Sequence, residues 1–340
     1  MKKPIEIVNK DFDEYVVIQY ALTNVCNYKC EYCWPQSHIG TSRWPDYDTI
    51  CKNFDHLFFI YKTYFNKKII KFNILGGEPT LWPRLGDFVK FIHSKHNCRI
   101  SMSTNGSRTL RWWKTYSEYF NDIQISVHHK DCNVQHIKEI ADYIYSKGTI
   151  MIAAVVMMDP SKWEKCVNIV NQLLDHPNQW MVKTKTLTQS EGDESSMINV
   201  NYNKEHMDYL ANKIKRFPPD EYIKKMKEYG NIEQNKTSAI VKYDDGSEDS
   251  YKTFILYENK NNSFLGWHCN IGKDSFTIKE DGRIEGACGE TNIYGDTIFN
   301  IFDKDFVEKF TPKTIAPVTC SRMFCGCSVE IRLPKRKKDV

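Results

Sequence analysis

No run of apolar residues in this 340-residue chain reaches the roughly 20 positions that a helix needs to cross a bilayer. The opening Met1-Lys2-Lys3-Pro4 leads into acidic and polar residues instead of an apolar signal region, so a soluble, cytoplasmic protein without a membrane partner is expected. A dominant charge is also missing. Lys and Arg number 47 against 43 Asp and Glu, a balance of +4 that is too even to draw a nucleic acid by electrostatics. The basic tail Lys335 to Lys338 is the exception and reads as a solvated terminus. Internal repeats and low-complexity tracts are absent, which excludes a repeat array.

Cysteine, by contrast, is abundant. Twelve cysteines without a secretory signal argue against a disulfide framework and for metal or redox chemistry. The length permits a full core, with one large domain and one or two small ones.

From residue 14 to 188, short apolar runs alternate with stretches of helical periodicity, the alternation that builds a parallel sheet. The expected strands are 14–22, 69–75, 99–104, 122–128, 149–158 and 179–187, rich in Ile, Val and Phe as strands covered on both faces should be. Between them, Asp48 is expected to cap a helix that puts Ile50, Phe54, Leu57, Phe58, Tyr61 and Phe65 on one stripe. Val134, Ile137, Ile140, Ala141 and Ile144 form a second stripe ended by Gly148, and a third helix begins near Asp159-Pro160. The simplest α/β architecture is six strand–helix units closing part of a TIM-type barrel, with all strand ends on one face.

The pattern changes after the polar stretch Gln189 to Met197, and a boundary is expected near 190. A helical stretch interrupted by Phe217-Pro218-Pro219 follows, then a hairpin of 238–243 and 251–257 around Asp244-Asp245-Gly246-Ser247. The expected organisation is thus a core barrel over 1–190, a bridging segment over 191–265 and a small C-terminal domain over 266–340. A second hairpin, 276–278 with 283–284, should bring Cys288 beside Cys269, and Cys320, Cys325 and Cys327 complete a second group of thiols.

The first group is Cys26-Asn27-Tyr28-Lys29-Cys30-Glu31-Tyr32-Cys33, in the loop where the first apolar strand ends. Three thiolates at this spacing can hold an iron-sulfur cluster and leave its fourth iron open, whereas four would close the site. Zinc prefers paired Cys-x2-Cys knuckles and four ligands, and no fourth cysteine or histidine lies at suitable local spacing. Three further strand ends are polar: Gly76-Gly77-Glu78-Pro79, Ser103-Thr104-Asn105-Gly106, and Ser126 with His128. Cys51, Cys98, Cys132 and Cys166 stand apart and read as inert thiols.

Together these elements resemble the radical SAM superfamily: Cys-x3-Cys-x2-Cys with Tyr32 before the last cysteine, the Gly-Gly-Glu-Pro loop, and the polar ends of the third and fourth strands. The resemblance covers about residues 12 to 190 and implies a partial (β/α)6 barrel. It further implies a catalytic [4Fe-4S] cluster on Cys26, Cys30 and Cys33, with S-adenosylmethionine on the open iron. Gly76, Gly77, Glu78 and Pro79 would hold its methionyl ammonium, and Ser103, Asn105, Ser126 and His128 would lie near its carboxylate or ribose. The backbone around Tyr32 would contact adenine. The chemistry implied is that of an oxidoreductase- or transferase-type enzyme, fed by an electron donor such as flavodoxin or ferredoxin, that forms a 5'-deoxyadenosyl radical and abstracts a substrate hydrogen.

Cys269-x2-Gly272, Ile278, Asp281-Gly282 and Cys288 resemble the opening of SPASM and twitch domains. That implies one auxiliary [4Fe-4S] cluster on four of Cys269, Cys288, Cys320, Cys325 and Cys327, although zinc would accept the same thiolates. Relatives with such domains modify peptides, sugars or nucleotides. A peptide substrate is the first expectation, although the short N-terminus leaves no room for an added recognition domain; a small molecule, sugar or nucleotide is the alternative, and a non-catalytic metal-binding scaffold is the other. His128, His129, Lys183 and Lys185 are candidates to quench or deprotonate a substrate radical.

Overall fold

The computed structural model describes residues 2–33, 38, 40, 44–187, 201–228, 238–252, 262–286, 293–323, 325 and 329–338. Its centre is a run of six parallel strands in sequence order: β2 (Tyr15–Thr23), β3 (Ile69–Gly76), β4 (Cys98–Thr104), β5 (Asp122–Val127), β6 (Met151–Met158) and β7 (Met181–Thr186). All six expected strands are present. The helices between them are α2 (Tyr47–Thr63), α3 (Leu85–Lys95), α4 (Leu110–Tyr116), α5 (Val134–Lys147) and α6 (Trp163–Leu174); a short α1 (Asp11–Glu14) precedes β2.

Helix α2 starts two residues earlier than its pattern announced. Its cap is Asp46, whose backbone is extended and whose side chain accepts from the Thr49 N–H at 2.9 Å, while Asp48 lies inside the first turn near the positive end of the dipole. Gly148, left-handed at φ 67°, closes α5 as expected.

Burial alternates strictly along the central strands. Ile70, Phe72 and Ile74 of β3, Ile100 and Met102 of β4, and Ile123, Ile125 and Val127 of β5 are buried in one core with Phe54, Phe58, Phe88, Ile137 and Ile140 of the helices. Their neighbours Lys71, Asn73, Arg99, Ser101, Ser103, Asp122, Gln124 and Ser126 face the other way. These three strands are therefore covered on one face only, not on both. Strand β6 is buried on both because Tyr222 and Met226 of α8 (Asp220–Glu228) pack on Met151, Ala153, Val155 and Met181.

Beyond β7 the expected helical stretch is interrupted, with α8 restarting at Asp220 after Pro218-Pro219, but the interruption also holds a strand. Helix α7 (Lys204–Ala211) gives way to β8 (Ile214–Arg216), which pairs antiparallel with β7 before Pro218 and Pro219 end it. Arg216 pins this strand by donating to the carbonyls of Trp180, Leu174 and His176. The polar stretch 189–197, with the boundary near 190, lies outside the described residues.

The opposite edge of the sheet is extended by the C-terminal region. Strand β12 (Ser275–Ile278) lies parallel to β2, and β13 (Ile284–Glu285) forms the expected hairpin on it. The result is a nine-stranded sheet, β13-β12-β2-β3-β4-β5-β6-β7-β8. A second sheet of six strands runs β10-β9-β1-β16-β11-β15. It joins β1 (Pro4–Val8) to the hairpin of β9 (Ser238–Tyr243) and β10 (Glu248–Lys252), and to β11 (His268–Cys269), β15 (Val318–Thr319) and β16 (Lys335–Arg336); β14 (Ile293–Asp296) stands outside both sheets. The first hairpin turns where expected, but β10 begins at Glu248, and residues 253–257 lie outside the described residues. The basic tail is not wholly a solvated terminus, because Lys335 is buried in β16.

The large sheet is concave. Laid flat, β3 and β8 would stand about 24 Å apart, five spacings of about 4.8 Å. Residues of both nonetheless line one cavity of about 610 Å³, together with residues of β4 to β7.

Candidate active site

The residues with chemistry gather where β2 to β5 end. Leaving β2, the chain turns so that the Cys33 N–H donates to the Cys30 carbonyl at 3.0 Å, and the Tyr28 N–H points at Cys26 Sγ at 3.4 Å. The end of β3 is bolted to this loop. Gly77 N–H donates to the Thr23 carbonyl at 2.6 Å and Glu78 N–H to the Val25 carbonyl at 2.8 Å. Only glycine fits at 76: φ is 136°, and a Cβ there would stand 2.4 Å from the Thr23 carbonyl oxygen.

Glu78 is fully buried, and its carboxylate is spent within the protein. One oxygen accepts from the Thr80 N–H and hydroxyl and from the Thr104 hydroxyl at 2.8 Å; the other accepts from the Asn105 N–H at 2.6 Å. Burial pushes this carboxyl above the usual range even so. Glu78 therefore locks the end of β4 to the end of β3, and Pro79 follows it at the start of a buried turn. Asn105, held in this way, donates from its side chain to Asn27 Oδ1 at 2.9 Å and toward Cys26 Sγ at 3.8 Å. At the end of β5, His128 stacks on Tyr32 with ring centroids 5.8 Å apart, and the Tyr32 hydroxyl and His128 Nδ1 share a hydrogen bond of 2.7 Å. Burial lowers the His128 pKa to about 4, so the ring is neutral at pH 7.

The three thiols share one loop and lie close enough for their charges to act on one another. Burial, then the Cys33 sulfur and other nearby negative groups, pushes the Cys30 thiol up to about 12, and burial likewise raises Cys26, with Glu78 and Cys33 adding to it. Thiolates crowded in this way need a cation to ionise together, and a soft three-thiolate donor set suits an iron-sulfur cluster. The residues present thus fit the group. Among the described residues no three His, Cys, Asp or Glu side chains converge as ligands of a single ion do; the ligands of a cluster, each on its own iron, need not.

Ser103 and Ser126 belong to the concave face, Ser103 lining the 610 Å³ cavity. Lys183 lines it too, while Lys185 points to solvent and His129 bonds Asp159 at 3.1 Å. The cavity also holds Lys71, Asn73, Arg99, Ser101, Asp122 and Gln124, which the sequence reading passed over. Their signal in the sequence is a polar residue at every second position of these strands.

In the C-terminal region Cys269 sits in β11, paired opposite Val318 and Lys335, and Cys320 N–H donates to the Trp267 carbonyl at 2.8 Å. Lys335 Nζ lies 3.6 Å from Cys325 Sγ. These three thiols thus share the second sheet and its edges; Cys288 and Cys327 lie outside the described residues. Cys51, Cys98 and Cys166 are buried, and burial raises each of their pKa values, as inert thiols require.

Among known proteins, the chain is similar to the GTP 3',8-cyclase of Pasteurella multocida (strain Pm70), 27% identical over 124 residues, which is 36% of each chain. It is similar to the S-adenosylmethionine-dependent nucleotide dehydratase of Fibrobacter sp. (strain UWH6), 36% identical over 95 residues, covering 27% of this chain and 28% of that one. The matches thus span 36% and 28% of these relatives. Among solved structures, "Native anSMEcpe with bound AdoMet" is similar with a TM-score of 0.49 at 13% identity, covering 88% of this chain and 82% of the other. Residues 20–137 match the family profile described as "Radical SAM superfamily", and this stretch, which holds the three-cysteine loop and the Gly-Gly-Glu-Pro turn, is a radical SAM domain.

Proposed function

We propose that the protein is a radical SAM enzyme whose substrate is a nucleotide. The observation that carries the first half is the bolting of the three-cysteine loop to the ends of β3 and β4, through Gly77 to Thr23, Glu78 to Val25 and Asn105 to Cys26. Cys26, Cys30 and Cys33 would hold a [4Fe-4S] cluster with one iron left for S-adenosylmethionine. When bound, that pair supplies a one-electron reductive cleavage yielding a 5'-deoxyadenosyl radical able to take hydrogen from carbon.

The chain's own residues prepare the place for it. The buried Glu78 and its donors fix the loop spacing, so the thiols do not have to be ordered on binding. Neutral His128 holds the Tyr32 ring by stacking and by its hydrogen bond, at the position where adenine is expected. The electron would come from a flavodoxin or ferredoxin. An auxiliary cluster on four of Cys269, Cys288, Cys320, Cys325 and Cys327 is part of the same reading.

The nucleotide is favoured over the peptide first expected because the relatives over the domain are named for nucleotide substrates and the concave cavity is lined with cations and amides. The test is anaerobic reconstitution, reduction with dithionite and measurement of 5'-deoxyadenosine. Cleavage is expected from the intact protein and its loss, together with about one cluster's worth of iron, from a Cys26→Ala/Cys30→Ala/Cys33→Ala variant. Intact clusters with no cleavage would sink the reading.

A further inference from the structure

The concave face of the sheet is unusual in what it leaves unburied. Inward positions of a parallel sheet that curves on itself are ordinarily filled by Val, Ile and Leu. Here the cavity of about 610 Å³ lies within the size range of small-molecule sites and is walled by Lys71, Arg99 and Lys183, with Asp122 as the only carboxylate among the described residues that line it. Ser101, Gln124, Asn73 and Asn121 supply further hydrogen-bonding groups. A lining with more cations than carboxylates complements an anionic ligand, although Lys71 already holds its ammonium 3.4 Å from the centre of the Tyr15 ring.

The cations are not spread evenly. Register pairs Lys71 of β3 with Arg99 of β4, near the ends of the strands remote from the cysteine loop. Lys183 stands on the facing wall, on β7. At the other end of the cavity are Leu75 and Ser103, each one residue before the chain enters the Gly-Gly-Glu-Pro and Thr104–Asn105 turns. From Arg99 to Ser103 is four residues, about 13 Å along a strand, which suits a nucleoside with an extended phosphate chain.

We propose that Arg99, Lys183 and Lys71 are the polyphosphate site of the nucleotide substrate, which lies phosphates down, with its sugar raised toward Ser103 and the cysteine loop. This rests on the radical SAM reading above, and it determines which part of the nucleotide is attacked: the nucleoside half is within reach of the loop, and the phosphates are not. Arg99 offers a planar fork for two phosphate oxygens and Lys183 a point charge from the opposite wall, so the ligand is clamped across the cavity.

Calorimetric titration of the full-length, reconstituted protein with CTP, GTP, inorganic tripolyphosphate and cytidine tests it. Triphosphates and tripolyphosphate are expected to bind at least a hundredfold more tightly than cytidine, with affinity falling as salt rises. Arg99→Gln and Lys183→Gln should each weaken CTP at least tenfold, while the charge-preserving Lys183→Arg restores most of the affinity, which a loss of folding would not allow. Phosphate compounds binding no better than cytidine, or both glutamine variants binding like the parent, would overturn the site. Reductive cleavage of S-adenosylmethionine by the parent protein is measured alongside: cleavage without nucleotide binding removes the substrate inference alone, and nucleotide binding without cleavage removes the radical reading alone.

Discussion

Asp122 shows at the scale of one residue what a polar cavity costs. Burial pushes its carboxyl up to about 6, with Lys183 and Gln124 pulling the other way. In the unfolded chain the same group ionises near about 3.9. Between those values the folded protein holds the proton more tightly, so stability falls as pH rises through the window and the whole penalty stands above pH 6. Asp122→Asn is therefore expected to stabilise the protein by roughly 1–2 kcal/mol at pH 7.5 and to change little at pH 4. Urea midpoints at the two pH values check this, and a loss of stability at pH 7.5 would contradict it. The motif cysteines could be read from the sequence because their spacing is itself chemical information. Asp122, Arg99 and Lys183 could not, because their meaning depends on which face of a strand is open. Glu78 was visible as a motif residue, but only the fold reveals that its carboxylate ties two strand ends together instead of facing a cavity.

At the scale of elements, a buried ion pair reinforces the joint between β12 and the rest of the sheet. Lys67, just before β3, is buried with its ammonium 2.6 Å from Asp274, just before β12, and it also donates to the Phe12 carbonyl. Asp274 further accepts from the Asn270 side chain at 2.8 Å, and burial still pushes its carboxyl upward. Removing one partner strands the other in the core, at about 3–5 kcal/mol. Lys67→Met and Asp274→Leu should each cost about that much, whereas the double variant should cost less than either alone. The double-mutant cycle, measured by urea unfolding, reads the difference; additive losses would show the two charges to be independent. Elements whose period and caps agree, such as β3, β5 and α5, were legible from their patterns. Strand β8 was not, because three residues carry no period, and neither was the second sheet, since pairing among β1, β9 and β16 spans residues 4 to 336 and leaves no local trace.

For the whole molecule, the consequence is that the three-cysteine loop depends on residues far away in sequence. Strand β12 hydrogen-bonds along Val17 to Tyr20 of β2, the strand that runs directly into Cys26. Behind it, Phe276, Ile278, Ile284, Ile293, Phe299, Ile301, Phe306 and Phe310 are buried in the same core as Val16, Ile18 and Tyr61. Each such side chain contributes about 1.5–3 kcal/mol of burial, so together they match or exceed the 5–15 kcal/mol by which a whole domain is stable. A chain ending at residue 265 is thus expected to lose cooperative unfolding and to bind iron poorly, even though it keeps every residue of the radical SAM domain. Thermal denaturation and iron content after reconstitution measure both effects. A truncated protein that melts sharply at the full-length temperature and loads one cluster would show that β2 and its loop stand without β12. The opposite result would mean that whatever organises the C-terminal region also sets the geometry of the three-cysteine loop.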